Sequence, residues 1–290
     1  MASTEKPAAW RDWWELTKPR LNFLVVLTAL AGYWMAPAGL PGRASFWSFA
    51  VAVWLLAASS AILNMWLESD TDALMERTRK RPLAAGRLPK RPAFWVGQAL
   101  TFLALGALAA SCDWITAGLG LLTWASYLLV YTPLKRVSAL SVLAGAVPGA
   151  LPPVMGWTAA GGHLDQDALG LFCLLFVWQI PHFLAIAHLY GEQYLAAGIK
   201  VLGLEHGQAV VSRQIVAYTL ALLPVTLWLN RLGLSGPRYV ASALVLGLAF
   251  NGVALWAALR PSRRSARALL LTSVTYLPLL FAAMIADKQV

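Results

Sequence analysis

Ser45-Phe-Trp-Ser-Phe-Ala-Val-Ala-Val-Trp-Leu-Leu-Ala-Ala-Ser-Ser-Ala-Ile-Leu-Asn64-Met-Trp-Leu-Glu68-Ser-Asp70-Thr-Asp72-Ala-Leu-Met75-Glu-Arg77-Thr78-Arg79-Lys-Arg81-Pro82 joins two kinds of sequence that rarely adjoin. Its first part, 45–66, is long and apolar enough to cross a bilayer as a helix. Its second part, Glu68 to Arg81, packs four acidic and four basic side chains into fourteen residues. Ionisable groups at a membrane edge are costly to desolvate, so a dense cluster there points to a site. Asn64, Glu68 and Asp72 are four residues apart and fall within an arc of about 80° on a helix. Oxygen-bearing side chains crowded on one stripe invite a cation. Mg²⁺ suits them, because it takes oxygen ligands and is held by a few carboxylates plus substrate phosphates. Asp70 lies about 240° round from Asn64 and points elsewhere unless the helix has ended, in which case it joins as a further metal ligand. The plain alternative is a solvated helix end whose acids pair with the following arginines, each pair worth about 0–1 kcal/mol.

The rest of the chain has the same apolar character. It has 290 residues, 59% hydrophobic and only 12% charged, against a usual charged share of about 25%. Nine apolar runs are long enough to span a bilayer, near 21–37, 45–66, 93–111, 114–131, 137–157, 167–189, 212–230, 238–259 and 266–286. Helices are the expected form, since lipid offers no partner to an unpaired backbone. This predicts an all-α membrane protein with one transmembrane domain over 21–286, a leader over 1–20 and a short tail over 287–290. Nothing in the leader reads as a removable signal peptide, and Glu5, Asp12 and Glu15 within it argue against a transit peptide. A bacterial plasma membrane is the simplest address.

A net charge of +10 does not mark a nucleic-acid binder here. Under nine alternating spans, nineteen Lys and Arg lie on the side of the N-terminus and four on the other. The positive-inside rule then puts the N-terminus in the cytoplasm and the C-terminus outside. Two connections are long, from Leu67 to Pro92 and from Tyr190 to Val211, and both fall on that cytoplasmic side. The second carries Gly191-Glu192-Gln193-Tyr194 and Glu205-His206-Gly207. The second and sixth spans each end there in polar groups. Two halves offset by four helices would bring those ends together across a central cavity. Cys112 and Cys173 show neither metal spacing nor a disulfide framework.

Two spans carry unusual chemistry. The fifth contains Gly145-Ala-Val-Pro148-Gly149-Ala150-Leu-Pro152-Pro153-Val-Met-Gly156, which bends a helix and lets neighbours approach closely. It reads either as a kinked packing helix or as a cavity wall. The sixth contains Trp178-Gln179-Ile-Pro181-His182-Phe183. A Gln and a His at that depth face protein or water, and bind either substrate or neighbouring polar groups.

Arg77, Arg79, Lys80 and Arg81 anchor the membrane edge, yet they also follow the acidic stripe by two or three turns. With a cation between carboxylates, guanidinium groups beside it complete a diphosphate site. Lys135, after Tyr131-Thr-Pro-Leu, is a further donor on that side. A substrate with a phosphorylated head and an apolar tail fits such a site; an isoprenyl diphosphate is one. Charge growing on the departing diphosphate would be met by metal and arginines, and the allylic cation left behind needs a dry, aromatic-lined chamber.

At these residues the chain resembles the UbiA superfamily of intramembrane prenyltransferases, and within it the branch that farnesylates haem. Asn64-x-x-x-Glu68-x-x-x-Asp72 is shared across the superfamily. Its continuation Asp72-Ala-Leu-Met75-Glu-Arg77-Thr78-Arg-Lys-Arg81-Pro82-Leu83 is similar to that branch's D-x-x-M-x-R-T-x-x-R-P-L. Trp178-Gln179-Ile-Pro181-His182-Phe183 and Thr17-Lys18-Pro19-Arg20 also look like it. The resemblance implies nine helices round a central cavity, Mg²⁺ as cofactor, farnesyl diphosphate as donor and haem b as acceptor. It also implies contact with haem A synthase or terminal oxidase assembly. Carried over, Asn64, Glu68 and Asp72 hold the metal with Asp70 as helper. Arg77, Arg81 and Lys135 match basic positions expected near the diphosphate, and Tyr131, Gln179, His182, Glu192 and Gln193 are further candidates for substrate binding. Gln193 departs from the Asp usual before that Tyr, with Glu192 beside it as a substitute. An aromatic quinone or chlorophyll-type acceptor is the nearest rival. A transporter of amphipathic anions is a third reading, but it would carry polar groups through to the external face.

Overall fold

The computed structural model describes residues 10–36, 43–200, 202 and 206–289; Glu5 and Glu205 lie outside them. Every regular element among these residues is helical. A short helix, α1 (Trp10–Leu16), precedes α2 (Pro19–Met35), α3 (Arg43–Ala73) and α4 (Lys90–Ser111). Next come α5 (Trp114–Leu134) and α6 (Ser141–Ala159). The chain continues with α7 (Gln166–Ala196), α8 (Gln208–Arg231), α9 (Pro237–Leu259) and α10 (Arg263–Ala286). Among the described residues eight helices, α3 to α10, are long and apolar enough to cross a membrane. The other, α2, has 17 residues of mostly apolar sequence.

Helix boundaries depart from the apolar runs in one informative way. Helices α3 and α7 have 31 residues each, running seven residues past where their hydropathy falls. Apolar composition ends where lipid ends, whereas i→i−4 hydrogen bonding continues until something stops it. The supposed long loops are therefore shorter than expected. The acidic stripe sits on α3, and Gly191 to Tyr194 sit on α7 rather than in a connection.

Consecutive helices pack side by side from α2 round to α10, and α10 returns to α2. Inside that ring α2 also packs on α6 and α7 on α10. The C-terminal residues tie the ring shut. Lys288 Nζ donates to the carbonyls of Trp34 (2.7 Å) and Ala36 (2.9 Å) at the end of α2. Asp287 Oδ2 accepts the Tyr239 N–H at 2.8 Å at the start of α9. Helices α6, α3 and α7 are the most buried of the eight, so the centre of the bundle is built from the three whose sequences carry the polar and proline-rich motifs. Outward faces are apolar: Phe102, Leu103, Leu129, Val245 and Leu248 are each more than 60% exposed. Apolar surface of that extent belongs in lipid rather than water, and the chain is a multi-pass membrane protein.

Candidate active site

Because α3 continues unbroken to Ala73, Asn64, Glu68 and Asp72 keep their four-residue spacing and stand on one buried face, 2%, 4% and 2% exposed. Each meets a basic side chain from a different part of the chain. Lys18 Nζ donates to Asn64 Oδ1 at 3.3 Å. Lys135 Nζ pairs with Glu68 Oε1. Arg81 Nη1 reaches both Asp72 oxygens, at 2.8 and 2.7 Å.

Local sequence explains how each base arrives. After Ala73 the chain turns back through Arg79 N–H to Met75 O (2.8 Å) and Arg81 N–H to Thr78 O (2.9 Å). Thr78 Oγ1 caps the helix by donating to Asp72 O at 2.9 Å. These turns fold Arg81 onto the carboxylate nine residues before it. On α5, Pro133 lacks the N–H an α-helix needs, and Ser126–Tyr131 widens into a π-helical turn. Such turns recur at functional sites. Here it points Tyr131, Thr132 and Lys135 toward α3: Thr132 Oγ1 accepts from Asn64 Nδ2 at 3.2 Å, and Lys135 Nζ lies 5.5 Å from the centre of the Tyr131 ring. Gly145 of α6 leaves room for that ring, since a Cβ there would sit 2.7 Å from Tyr131 carbons.

Lys18 was not among the site residues expected from sequence. It precedes Pro19 and adopts a left-handed conformation, φ 47°, ψ 57°, which costs a non-glycine residue about 1–2 kcal/mol. Strain of this sort clusters at functional sites. Burial holds its ammonium down to about 7, with Arg81 and Lys135 pushing the same way against Glu68 and Asp72. Its trace in sequence is a lysine set against a proline at the start of α2.

Arg77 sits at the rim. Its guanidinium lies over the rings of Tyr190 (5.4 Å) and Tyr194 (5.7 Å), and Nη2 donates to Tyr194 Oη at 3.3 Å. Its backbone N–H donates to Gln193 Oε1 at 3.4 Å. Met75 packs on Tyr194, Ala197 and Ile199. The turn that follows α3 thus meets the end of α7.

Four expected positions lie elsewhere. Asp70 is a correction: its side chain is 92% exposed and pairs with Lys90 at 2.8 Å, because the helix has not ended and six residues turn it away from Asn64. Glu192 is exposed and makes no ion pair among the described residues. Gln179 is buried, and its Nε2 donates to the carbonyls of Leu175 (2.9 Å) and Ala146 (3.3 Å). Its Oε1 fills the gap at Gly149, where a Cβ would stand 1.9 Å away, so Gln179 is consumed by packing against the proline-containing α6. His182 bonds Ser273 on α10 instead of reaching the stripe.

Two carboxylates ringed by Lys18, Arg81 and Lys135, with Arg77 at the rim, leave a surplus of positive charge at the site. An anion fits there, and the best-matched is a diphosphate held by guanidinium and ammonium groups. No three His, Cys, Asp or Glu side chains cluster as a metal cage among the described residues. The donor set is two carboxylates and an amide. That fits Mg²⁺, which is bound through one or two carboxylates plus substrate phosphates. Gln193→Asp should keep turnover within about threefold of wild type. Either side chain can accept the Arg77 N–H, a bond worth about 0.5–1.5 kcal/mol. A loss well beyond that in steady-state assays would give the amide a role of its own.

Fold and site together define an intramembrane enzyme that handles an anionic head group on an apolar substrate. A model described as the UbiA prenyltransferase family matches residues 25–283, and the chain belongs to that family. It is 41% identical over 283 residues to a protein named protoheme IX farnesyltransferase from Myxococcus xanthus (strain DK1622), covering 97% of this chain and 96% of that protein. A relative of the same name from Anaeromyxobacter sp. (strain Fw109-5) is 44% identical over 270 residues, covering 93% and 90%. Among solved structures, one concerning digeranylgeranylglyceryl phosphate synthase matches with a TM-score of 0.79 at 13% identity, over 96% of this chain and 98% of that one. A UbiA homologue from Archaeoglobus fulgidus bound to DMAPP and Mg²⁺ matches at 0.67 and 15%, over 94% and 99%. These two likenesses carry the fold.

Proposed function

We propose that this chain transfers the farnesyl group of farnesyl diphosphate to a vinyl group of haem b, with addition of water, giving haem O and diphosphate. The observation that carries the chemistry is the triple pairing of Asn64, Glu68 and Asp72 with Lys18, Lys135 and Arg81. The acceptor rests on relatives named protoheme IX farnesyltransferase, 41% and 44% identical over nearly the whole chain.

Asn64, Glu68 and Asp72 would hold Mg²⁺. When bound, it supplies positive charge for the leaving diphosphate. Lys18, Arg81 and Lys135 stand where they can turn from the stripe to phosphate oxygens, and Arg77 bounds the site on its open side. These charges favour the bond-breaking transition state because negative charge grows on the departing group. Tyr127 and Tyr131 stack at 5.7 Å between centroids and offer π faces to an allylic cation. The surrounding bundle keeps water from it until the acceptor has reacted.

In this reading α2 is a ninth span, since 17 residues reach the lower limit for crossing. The N-terminus and the site then face the cytoplasm of a bacterial inner membrane, following the Lys and Arg bias. Purified protein offered farnesyl diphosphate with haem b, or with 4-hydroxybenzoate, tests the acceptor by mass spectrometry. Haem O from the first mixture is expected. Product from the benzoate alone would move the chain to the aromatic branch.

A further inference from the structure

We propose that His182 ligates the iron of the haem acceptor through Nε2, with Ser273 fixing its tautomer and Trp178 its ring plane. The inference rests on haem b being the acceptor and assigns that acceptor a seat.

His182 follows Pro181 on α7, where the missing N–H leaves the Val177 carbonyl without its i→i−4 donor. Its Nδ1 lies 2.8 Å from Ser273 Oγ on α10. The same hydroxyl lies 2.6 Å from the Leu270 carbonyl, to which it donates. A serine has one proton to give. With that proton on Leu270 O, Ser273 Oγ accepts from His182, so Nδ1 carries the imidazole hydrogen and Nε2 keeps the lone pair. No hydrogen bond among the described residues uses Nε2.

The ring is also held from the side. Trp178 stacks on it with centroids 5.2 Å apart at 25°, and Trp178 Nε1 donates to Ser273 O at 2.8 Å. Two contacts to one serine therefore orient both rings. A neutral imidazole whose far nitrogen donates to a fixed oxygen is the usual form of a metal-binding histidine. Gln179 is 5% exposed and spent on two carbonyls, whereas His182 is only half-buried and has a nitrogen unused.

Placement fits too. Eight and twelve residues of α7, about 12 and 18 Å of rise, separate His182 from the tyrosines that cradle Arg77. One helix thus carries the iron seat at one level and, about 80–120° further round, borders the diphosphate end at another.

The test titrates purified protein with haem b and, separately, with metal-free protoporphyrin IX. Wild type should give the Soret band of a histidine-ligated haem. His182→Ala should lose that band, bind haem b at least about tenfold more weakly and bind protoporphyrin IX as wild type does. His182→Met, which retains an axial donor, should shift the band rather than erase it. Ser273→Ala should weaken haem b alone, by about tenfold, and it leaves the histidine in place should His182→Ala fail to fold. An unchanged Soret band in His182→Ala, or equal losses for both porphyrins, overturns ligation while haem stands as acceptor. Wild-type protein that binds neither porphyrin overturns ligation and the acceptor reading together.

Discussion

Asp72→Ala should lower turnover by about 10²–10³-fold or more while leaving a folded bundle. The carboxylate is 2% exposed and both its oxygens are taken by Arg81 Nη1. Removing it deletes one of two carboxylates on the stripe and frees Arg81 to swing. Truncating one member of a fully buried pair costs about 3–5 kcal/mol. Arg81 keeps 22% of its side chain exposed, so water takes up part of the stranded charge and the folding cost falls below that range. Asp72→Asn isolates the charge, since it keeps the volume and one acceptor oxygen. Both variants should lose activity and regain little of it at higher Mg²⁺, while melting near wild type in detergent. Near-normal turnover in Asp72→Asn would remove that side chain from the reaction.

How far this site could be read in advance depended on whether helix geometry alone placed the residue. Asn64, Glu68 and Asp72 were legible because four-residue spacing survives any environment that keeps the helix. Asp70 obeyed the same arithmetic, and its outward position follows from 240° of rotation. The error was to allow α3 to end with its hydropathy. Arg81 and Arg77 were legible as bases near the stripe, but not their division of labour, which turns made by Thr78 and Met75 decide. Lys18 was hidden because its role depends on a left-handed residue before Pro19 and on packing of α2 beside α3. Gln179 and His182 looked equivalent in one motif. Three residues rotate them by about 300°, onto α6 for one and α10 for the other, and only tertiary contacts separate packing from an open nitrogen.

Gly32→Ala and Gly156→Ala should each destabilise the bundle by about 3 kcal/mol or more, at or beyond the upper end for overpacking. A Cβ on Gly32 would stand 1.9 Å from the Pro153 carbonyl oxygen, and one on Gly156 would stand 1.8 Å from that of Ala29. Both obstacles are backbone, so no side chain can move aside. The two glycines lie on opposite partners of the same crossing, and small residues are what allow transmembrane helices to approach so closely. Gly106 and Gly252 are the controls: each lies within a helix and a Cβ would meet nothing within 4 Å. Alanine at either should be neutral or stabilising by up to about 1 kcal/mol, from helix propensity alone. Thermal melts in detergent should therefore split the four variants into two groups. The effect should also reach the site, since α6 carries Gly145 against Tyr131, and Tyr131 borders Lys135. Surviving Gly156→Ala protein should bind farnesyl diphosphate more weakly, whereas Gly106→Ala should bind it as wild type does. Equal melts for all four would mean that α2 and α6 have room to part, and the tight crossing would no longer explain how the proline-containing helix is held against the site.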